Sequence, residues 1–316
     1  MTVRILVGDC RTRLARLPAS SIDCCVTSPP YWGLRDYGIP GQIGLEARVE
    51  DYVARLVGVF RQVRRVMADG GTLWLNLGDT YASGGRRTRD PGQSKLHRAF
   101  VGETYRDGLR PADPPGIKPK DLIGIPWMLA FALRADGWYL RQDVIWHKPN
   151  PCPESVVDRC TRAHEYVFLL TKSRRYHYDA AAIREPCVSR PSDIRKMLES
   201  RERIGGKHKH LIDPLNKVSA ATNIGRKRAV GSPEGRNRRS VWTIATQPFR
   251  GAHFATFPPA LVEPCIKAGC PAGGWVLDPF GGAATTGLVA QRLGRNAIVI
   301  ELNRRYAALA RKRLGS

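Results

Sequence analysis

The chain has 316 residues, with 51 Lys and Arg against 28 Asp and Glu, a formal net charge of +23. That length allows one large domain, or one domain carrying an inserted module, and a 42% hydrophobic share is that of a globular chain, not a disordered one. The charge excess excludes an ordinary enzyme for small neutral substrates and predicts a polyanionic partner, nucleic acid first and an anionic membrane surface second. No apolar run approaches the ~18 residues of a spanning helix, and the start MTVRILVGDC has no apolar core with a cleavage site, so a cytoplasmic location is expected. The eight cysteines form no CxxC pair and the seven histidines do not cluster, so reduced thiols and no metal site are expected.

In chain order, residues 3–9 (VRILVGD) read as a short strand ending on an acid. Residues 22–27 (IDCCVT) read as a second strand. It runs straight into Ser28-Pro29-Pro30-Tyr31-Trp32-Gly33, where two prolines forbid both helix and further sheet pairing. Val53, Leu56, Val57, Phe60 and Val63 keep a helical period over residues 51–67, and Gly70-Gly71 is expected to stop that helix. A strand follows at 72–77. Residues 84–120 hold nine Lys/Arg against four Asp/Glu with no periodicity, which predicts a functional or mobile loop. An apolar helix is expected over 121–135, with strands near 138–146 and 165–171. Residues 184–240 are basic again, 15 Lys/Arg against six Asp/Glu. These two stretches hold 5 + 9 = 14 of the 23 excess charges, a concentration suited to a nucleic-acid face.

The C-terminal part reads as strand 275–278 (WVLD), a Gly loop (PFGGAATTG), a helix through Leu293, strand 297–301 (AIVIE) and a last helix at 303–313. Gly281 and Gly282 let backbone approach a ligand closely, and Gly287 lets the helix pack near the sheet. The loop is neither GxGxxG nor GxxxxGK[ST], so it is not a P-loop. Glu301 stands 23 residues after Asp278, where a carboxylate can take both hydroxyls of a ribose. A carboxylate beside the loop, in place of a lysine, points to a ligand with an ammonium or sulfonium, and S-adenosylmethionine fits; a purely structural βαβ turn is the alternative. At the other motif, the Ser28 hydroxyl and the Pro29 carbonyl can each accept one N–H of an exocyclic amine, and Tyr31 can stack on a base. A stiff turn with aromatic core filling is the plain alternative there.

Together, Ser28–Tyr31 near the start and Asp278–Gly287 near the end resemble the β group of DNA amino-methyltransferases, over almost the whole chain. Further likeness lies in Gly8-Asp9-Cys10, Leu17–Asp23, Trp74–Asp79, Ile145–Pro149 and Phe254–Pro258 running on to Glu263. Ala283-Ala284 departs from the family's more usual glycine. The resemblance implies a Rossmann-like α/β methyltransferase fold with circularly permuted motif order and S-adenosylmethionine as cofactor. It implies a catalytic part in residues 1–183, a target-recognition region in 184–240 and a cofactor-binding part in 241–316. Ser28, Pro29, Pro30 and Tyr31 would hold a flipped base. Asp9, Thr256, Phe257, Pro258, Asp278, Phe280, Gly281, Gly282, Thr285 and Glu301 would hold the cofactor. Arg86, Arg87, Arg226, Lys227, Arg228, Arg238 and Arg239 would touch DNA. Double-stranded DNA is the partner, with no membrane, and a companion restriction endonuclease is left open.

By the same resemblance, serine at the head of the motif implies cytosine N4 as the favoured target, with adenine N6 as the alternative and a non-catalytic nucleic-acid-binding protein as a third reading. Attack would be direct, with no covalent intermediate. C5 chemistry would need a Pro-Cys nucleophile, and Pro151-Cys152 lies outside any matching context.

Overall fold

The computed structural model describes residues 1–34, 36–82, 115–186, 235–247 and 257–315. These fall into two compact units, Met1–Tyr178 with Ser240–Ser316, and Asp179–Arg239. The larger unit carries strands β1 (Val3–Val7), β2 (Ile22–Thr27), β3 (Met67–Leu77), β4 (Tyr139–His147), β5 (His164–Thr171), β6 (Val241–Thr243), β7 (Trp275–Asp278) and β8 (Asn296–Glu301). Its helices are α1 (Cys10–Ala15), α2 (Val49–Val66), α3 (Ile125–Ala135), α4 (Pro259–Gly269), α5 (Thr285–Arg292) and α6 (Arg304–Leu314).

The strands form one sheet in the order β1-β8-β7-β2-β3-β5-β4-β6. All run parallel except β5, which is antiparallel to both β3 and β4. The central strands are buried on both faces, which is why IDCCVT reads as a near-continuous apolar run and not an alternating one. Helices α1, α2 and α3 contribute Leu14, Leu56, Phe60 and Leu129 to the main core cluster. Helix α4 packs on β2, β3 and α5, and α6 packs on β1 and β8. Helix α2 has Glu50 and Asp51 in its first turn and Arg64 and Arg65 in its last, the order that complements the helix dipole.

The structure corrects several expected boundaries. Strand β1 ends at Val7, and Asp9 caps α1 by accepting from the Arg11 N–H at 2.8 Å. Helix α2 ends at Val66, before Gly70-Gly71; the two glycines lie inside β3. A Cβ on Gly71 would sit 2.9 Å from Met67 Cε, 3.0 Å from Ala68 O and 3.2 Å from Asp23 O. Glycine is required there by close approach between backbones, not by a helix end. Helix α3 starts at Ile125, four residues later than expected, because Asp79 Oδ1 accepts from the N–H groups of Gly124 and Ile125, both at 3.0 Å. This caps the helix from the end of β3. Strand β6 has no counterpart among the expected elements.

In the smaller unit, Glu185 and Arg236 form a backbone bridge, and the Glu185 carboxylate accepts from Arg236 at 3.0 Å and Arg239 at 2.7 Å. Most of the two basic stretches, including Arg86, Arg87, Arg226, Lys227 and Arg228, lies outside the described residues. No helix among the described residues is long and apolar enough to cross a membrane, and they contain no cluster of metal-ligating side chains.

Candidate active site

Strands β7 and β2 are neighbours, with Cys24 opposite Val276 and Cys25 opposite Leu277. From β7 the chain moves one way, through α5 to β8; from β2 it moves the other way, through α2 to β3. The strand order therefore reverses between them, which is the switch point at which open α/β sheets bind ligands. The two motifs leave the sheet side by side there. Thr27 Oγ1 donates to Asp278 Oδ1 at 2.7 Å across 251 residues of sequence.

Asp278 is 2% exposed. Its Oδ2 accepts from Thr286 Oγ1 at 2.8 Å and its Oδ1 from the Phe280 N–H at 3.1 Å. Burial pushes its carboxyl up to about 6, against the pull of these hydrogen bonds. Asp278 thus ties the two loops together from inside the protein. The Gly loop is fixed to β8: the Gly281 N–H donates to Ile300 O at 2.8 Å, and the Gly282 N–H to Glu301 Oε2 at 2.7 Å. A Cβ on Gly281 would fall 2.0 Å from Val299 Cγ1, so only glycine lets the loop dock this closely. Glu301 Oε1 accepts from the Asn303 N–H at 2.7 Å, and burial raises the Glu301 pKa. At Asp9 the hydrogen bond from Arg11 outweighs burial and lowers the pKa.

A cavity of about 800 Å³ opens at this edge. Ser28, Pro29, Pro30 and Tyr31 line it, and so do Asp9, Phe257, Phe280, Gly282 and Glu301. Pro258, Asp278, Gly281 and Thr285 are not among the residues that line it. Pro258 caps α4, and Thr285 Oγ1 accepts from Arg313 at 2.9 Å. Thr256 lies outside the described residues. Arg238 and Arg239 belong to the smaller unit, where Arg239 pairs with Glu185.

The residues present fit S-adenosylmethionine. The carboxylates of Asp9 and Glu301 keep lone pairs for hydroxyl or amine donors. Ile300, Leu302 and Phe280 supply apolar wall, and Tyr37 and Tyr306, edge to face at 6.2 Å, supply aromatic faces.

The base-side loop is held by contacts that leave its functional atoms open. Tyr52 Oη donates to the Pro30 carbonyl at 2.9 Å, and Trp32 Nε1 to Glu46 O at 2.8 Å. Among the described residues no donor reaches the Pro29 carbonyl. Ser28 Oγ donates to Tyr31 Oη at 3.4 Å, and Tyr31 Oη donates to Glu165 Oε2 at 2.7 Å. With its proton directed at Tyr31, Ser28 offers lone pairs to an amine. Burial raises the Tyr31 pKa well above the usual phenol value, so Tyr31 keeps its proton. Gly78 makes room for the ring: a Cβ there would sit 2.7 Å from Tyr31 Cε2.

Three wall residues given no role from sequence complete the site. Glu165, at the start of β5, also accepts from Asn76 Nδ2 at 3.1 Å and from Lys148 Nζ. Asn76 and Lys148 lie in segments whose family likeness was noted; Glu165 sits at the head of an apolar run, and a lone acid there is the signal that could have exposed it.

The sequence matches the DNA methylase family model over residues 22–312. It is 48% identical over 311 residues to the Type II methyltransferase M.SmaI of Serratia marcescens, covering 98% of this chain and 90% of that protein. Identity to the Type II methyltransferase M.Cfr9I of Citrobacter freundii is 47% over 307 residues, covering 97% and 86%. Among solved structures, the PvuII DNA methyltransferase (cytosine-N4-specific) matches with a TM-score of 0.59 at 19% identity, covering 98% of this chain and 85% of that one. A Thermus thermophilus protein described as a DNA modification methylase, solved with S-adenosyl-L-methionine, matches with a TM-score of 0.57 at 23% identity, covering 100% and 95%. At those identities the likeness is one of fold, and the fold is Rossmann-like. With the site geometry, the family match over nearly the whole chain and the close relatives agree: the chain belongs to the N6/N4 DNA methylase family, and it is a DNA methyltransferase with S-adenosylmethionine as its cofactor.

Proposed function

We propose that the protein methylates the exocyclic N4 of cytosine in duplex DNA, as the modification enzyme of a Type II restriction-modification system. The observation that carries the reading is Ser28 at the head of the motif, the residue type that the family resemblance associates with cytosine N4. Its hydroxyl, 3.4 Å from Tyr31 Oη in the Ser28–Tyr31–Glu165 chain, and the open Pro29 carbonyl are acceptors that serve the exocyclic amine of either base. Two neutral acceptors aimed at one amine hold it near tetrahedral geometry and turn its lone pair toward the methyl donor. When bound, S-adenosylmethionine supplies an electrophilic methyl group. The chain supplies the rest: Ser28 and Pro29 orient the amine, Tyr31 offers a stacking face, and Asp9 and Glu301 hold polar groups of the cofactor. A +23 chain has the charge to hold a DNA backbone, and the M.SmaI and M.Cfr9I relatives are Type II enzymes. A restriction endonuclease acting on the same sequence would be the companion.

Modification-sensitive sequencing of a host expressing the gene tests this. N4-methylcytosine within one short motif is the expected result. N6-methyladenine would overturn the base assignment, and an unmodified genome would overturn the activity.

A further inference from the structure

Lys148 immediately follows β4, and its ammonium is held on two sides. It donates to Glu165 Oε1 and lies 4.4 Å above the Trp146 ring. The backbone is fixed as well, with the Lys148 N–H donating to Ala163 O at 2.7 Å. The side chain is 18% exposed, that of Glu165 is 15% exposed, and both line the cavity. The two partners are unequally satisfied. Glu165 receives three donors, from Tyr31, Asn76 and Lys148. Lys148 has three N–H groups, one is given to Glu165, and among the described residues no other acceptor takes the rest. A mostly buried ammonium with spare donors facing a ligand cavity is poorly compensated unless a ligand completes it.

We propose that Lys148 is a specificity-determining residue that hydrogen-bonds the ring acceptors of the flipped target base. This rests on the cytosine-N4 reading. From the exocyclic amine onward, the pairing edge of cytosine runs donor, acceptor, acceptor: N4, N3, O2. The same edge of adenine runs donor, acceptor, C–H. Flipped bases are read along this edge. Ser28 and Pro29 match the amine of either base, so they do not choose between them. A cationic donor farther along the same wall matches the O2 that only cytosine has. The contact chain Ser28–Tyr31–Glu165–Lys148 links an acceptor at one end to a donor at the other within one cavity wall. The cost of a carbonyl facing an ammonium is low, and that of a C–H facing it is an unpaired charge.

The test is a binding cycle with S-adenosylhomocysteine present, on duplexes carrying the mapped recognition sequence with either cytosine or an abasic residue at the target. Lys148→Met is expected to weaken binding of the cytosine duplex by about tenfold or more and to leave the abasic duplex unchanged, with Lys148→Arg recovering part of the loss. Equal effects on the two duplexes, or no effect, would overturn the proposal. A second arm uses the unsubstituted protein, so folding of a variant does not enter. A target C-nucleoside of 2-aminopyridine linked through C5, which keeps the amine and ring nitrogen in the places of N4 and N3 and puts C–H in place of the 2-carbonyl, should bind about tenfold more weakly than cytosine, and equal binding would overturn the proposal. Failure of the underlying reading shows separately, as N6-methyladenine made by the unsubstituted enzyme.

Discussion

The two loops at the switch point are built on opposite principles. Around the loop after β7, the acids that end β7 and β8 hold the protein's own donors, and Glu301 keeps further lone pairs for the cofactor. Both oxygens of Asp278 and both of Glu301 accept hydrogen bonds from the protein, and Gly281 docks against Val299 with no room for a side chain. In the loop after β2, the holding contacts fall on Pro30 and Trp32, while Ser28 and Pro29 face the cavity as acceptors. The first loop is a shaped surface whose acids fix its own backbone. The second is a rigid mount for two open acceptors. Binding the cofactor and orienting the amine are therefore separable, although one hydrogen bond, Thr27 to Asp278, joins the two loops.

The largest expected effect probes that joint. Asp278 titrates near 6 in the folded protein, above its ordinary value of 3.8, so proton uptake favours the folded state. Its contribution is full below about pH 4 and is lost as pH rises through about 6. Denaturant unfolding should show the stability of the unsubstituted protein, relative to Asp278→Asn, falling by about 3 kcal/mol between pH 3 and pH 7; parallel pH profiles would contradict the burial argument.

Next comes Ser28→Ala, which removes one positioned acceptor. Single-turnover methylation should slow by about 10²-fold, or about 2.7 kcal/mol. Gly281→Ala follows, destabilising the protein by about 2 kcal/mol through overpacking against Val299 and displacing the cavity walls Phe280 and Gly282. Thermal unfolding reads the first effect. Smallest is Ala284→Gly. Ala284 caps α5 at φ +56° and is fully buried. Relief of the left-handed strain opposes the lost methyl burial and the greater freedom of the unfolded chain, so the net change should stay within about 1 kcal/mol. A larger loss would mean that the alanine, at a place where the family more usually has glycine, is a packing requirement of this chain.

Much of this division is legible in the sequence. Strands IDCCVT and WVLD can be read because central parallel strands are nearly all apolar, and each motif can be read because its residue types have local meaning. The Gly70-Gly71 pair misleads because a glycine that ends a helix and one that admits a neighbouring backbone look alike in one dimension. The Glu165 hub is hidden for a deeper reason. Its partners Tyr31, Asn76 and Lys148 come from three other segments and meet only once β5 is placed antiparallel between β3 and β4. Likewise the sequence leads one to expect Asp278 at the cofactor. The structure turns its carboxylate inward, because Thr27 and Thr286 surround it, and neither spacing nor composition shows that.

The division of labour is tested most directly by calorimetric titration of S-adenosylmethionine into Ser28→Ala and Gly281→Ala side by side. The account predicts cofactor affinity within about twofold of the unsubstituted protein for Ser28→Ala, and at least about tenfold weaker for Gly281→Ala. Loss of cofactor affinity in Ser28→Ala, or its full retention in Gly281→Ala, would contradict it.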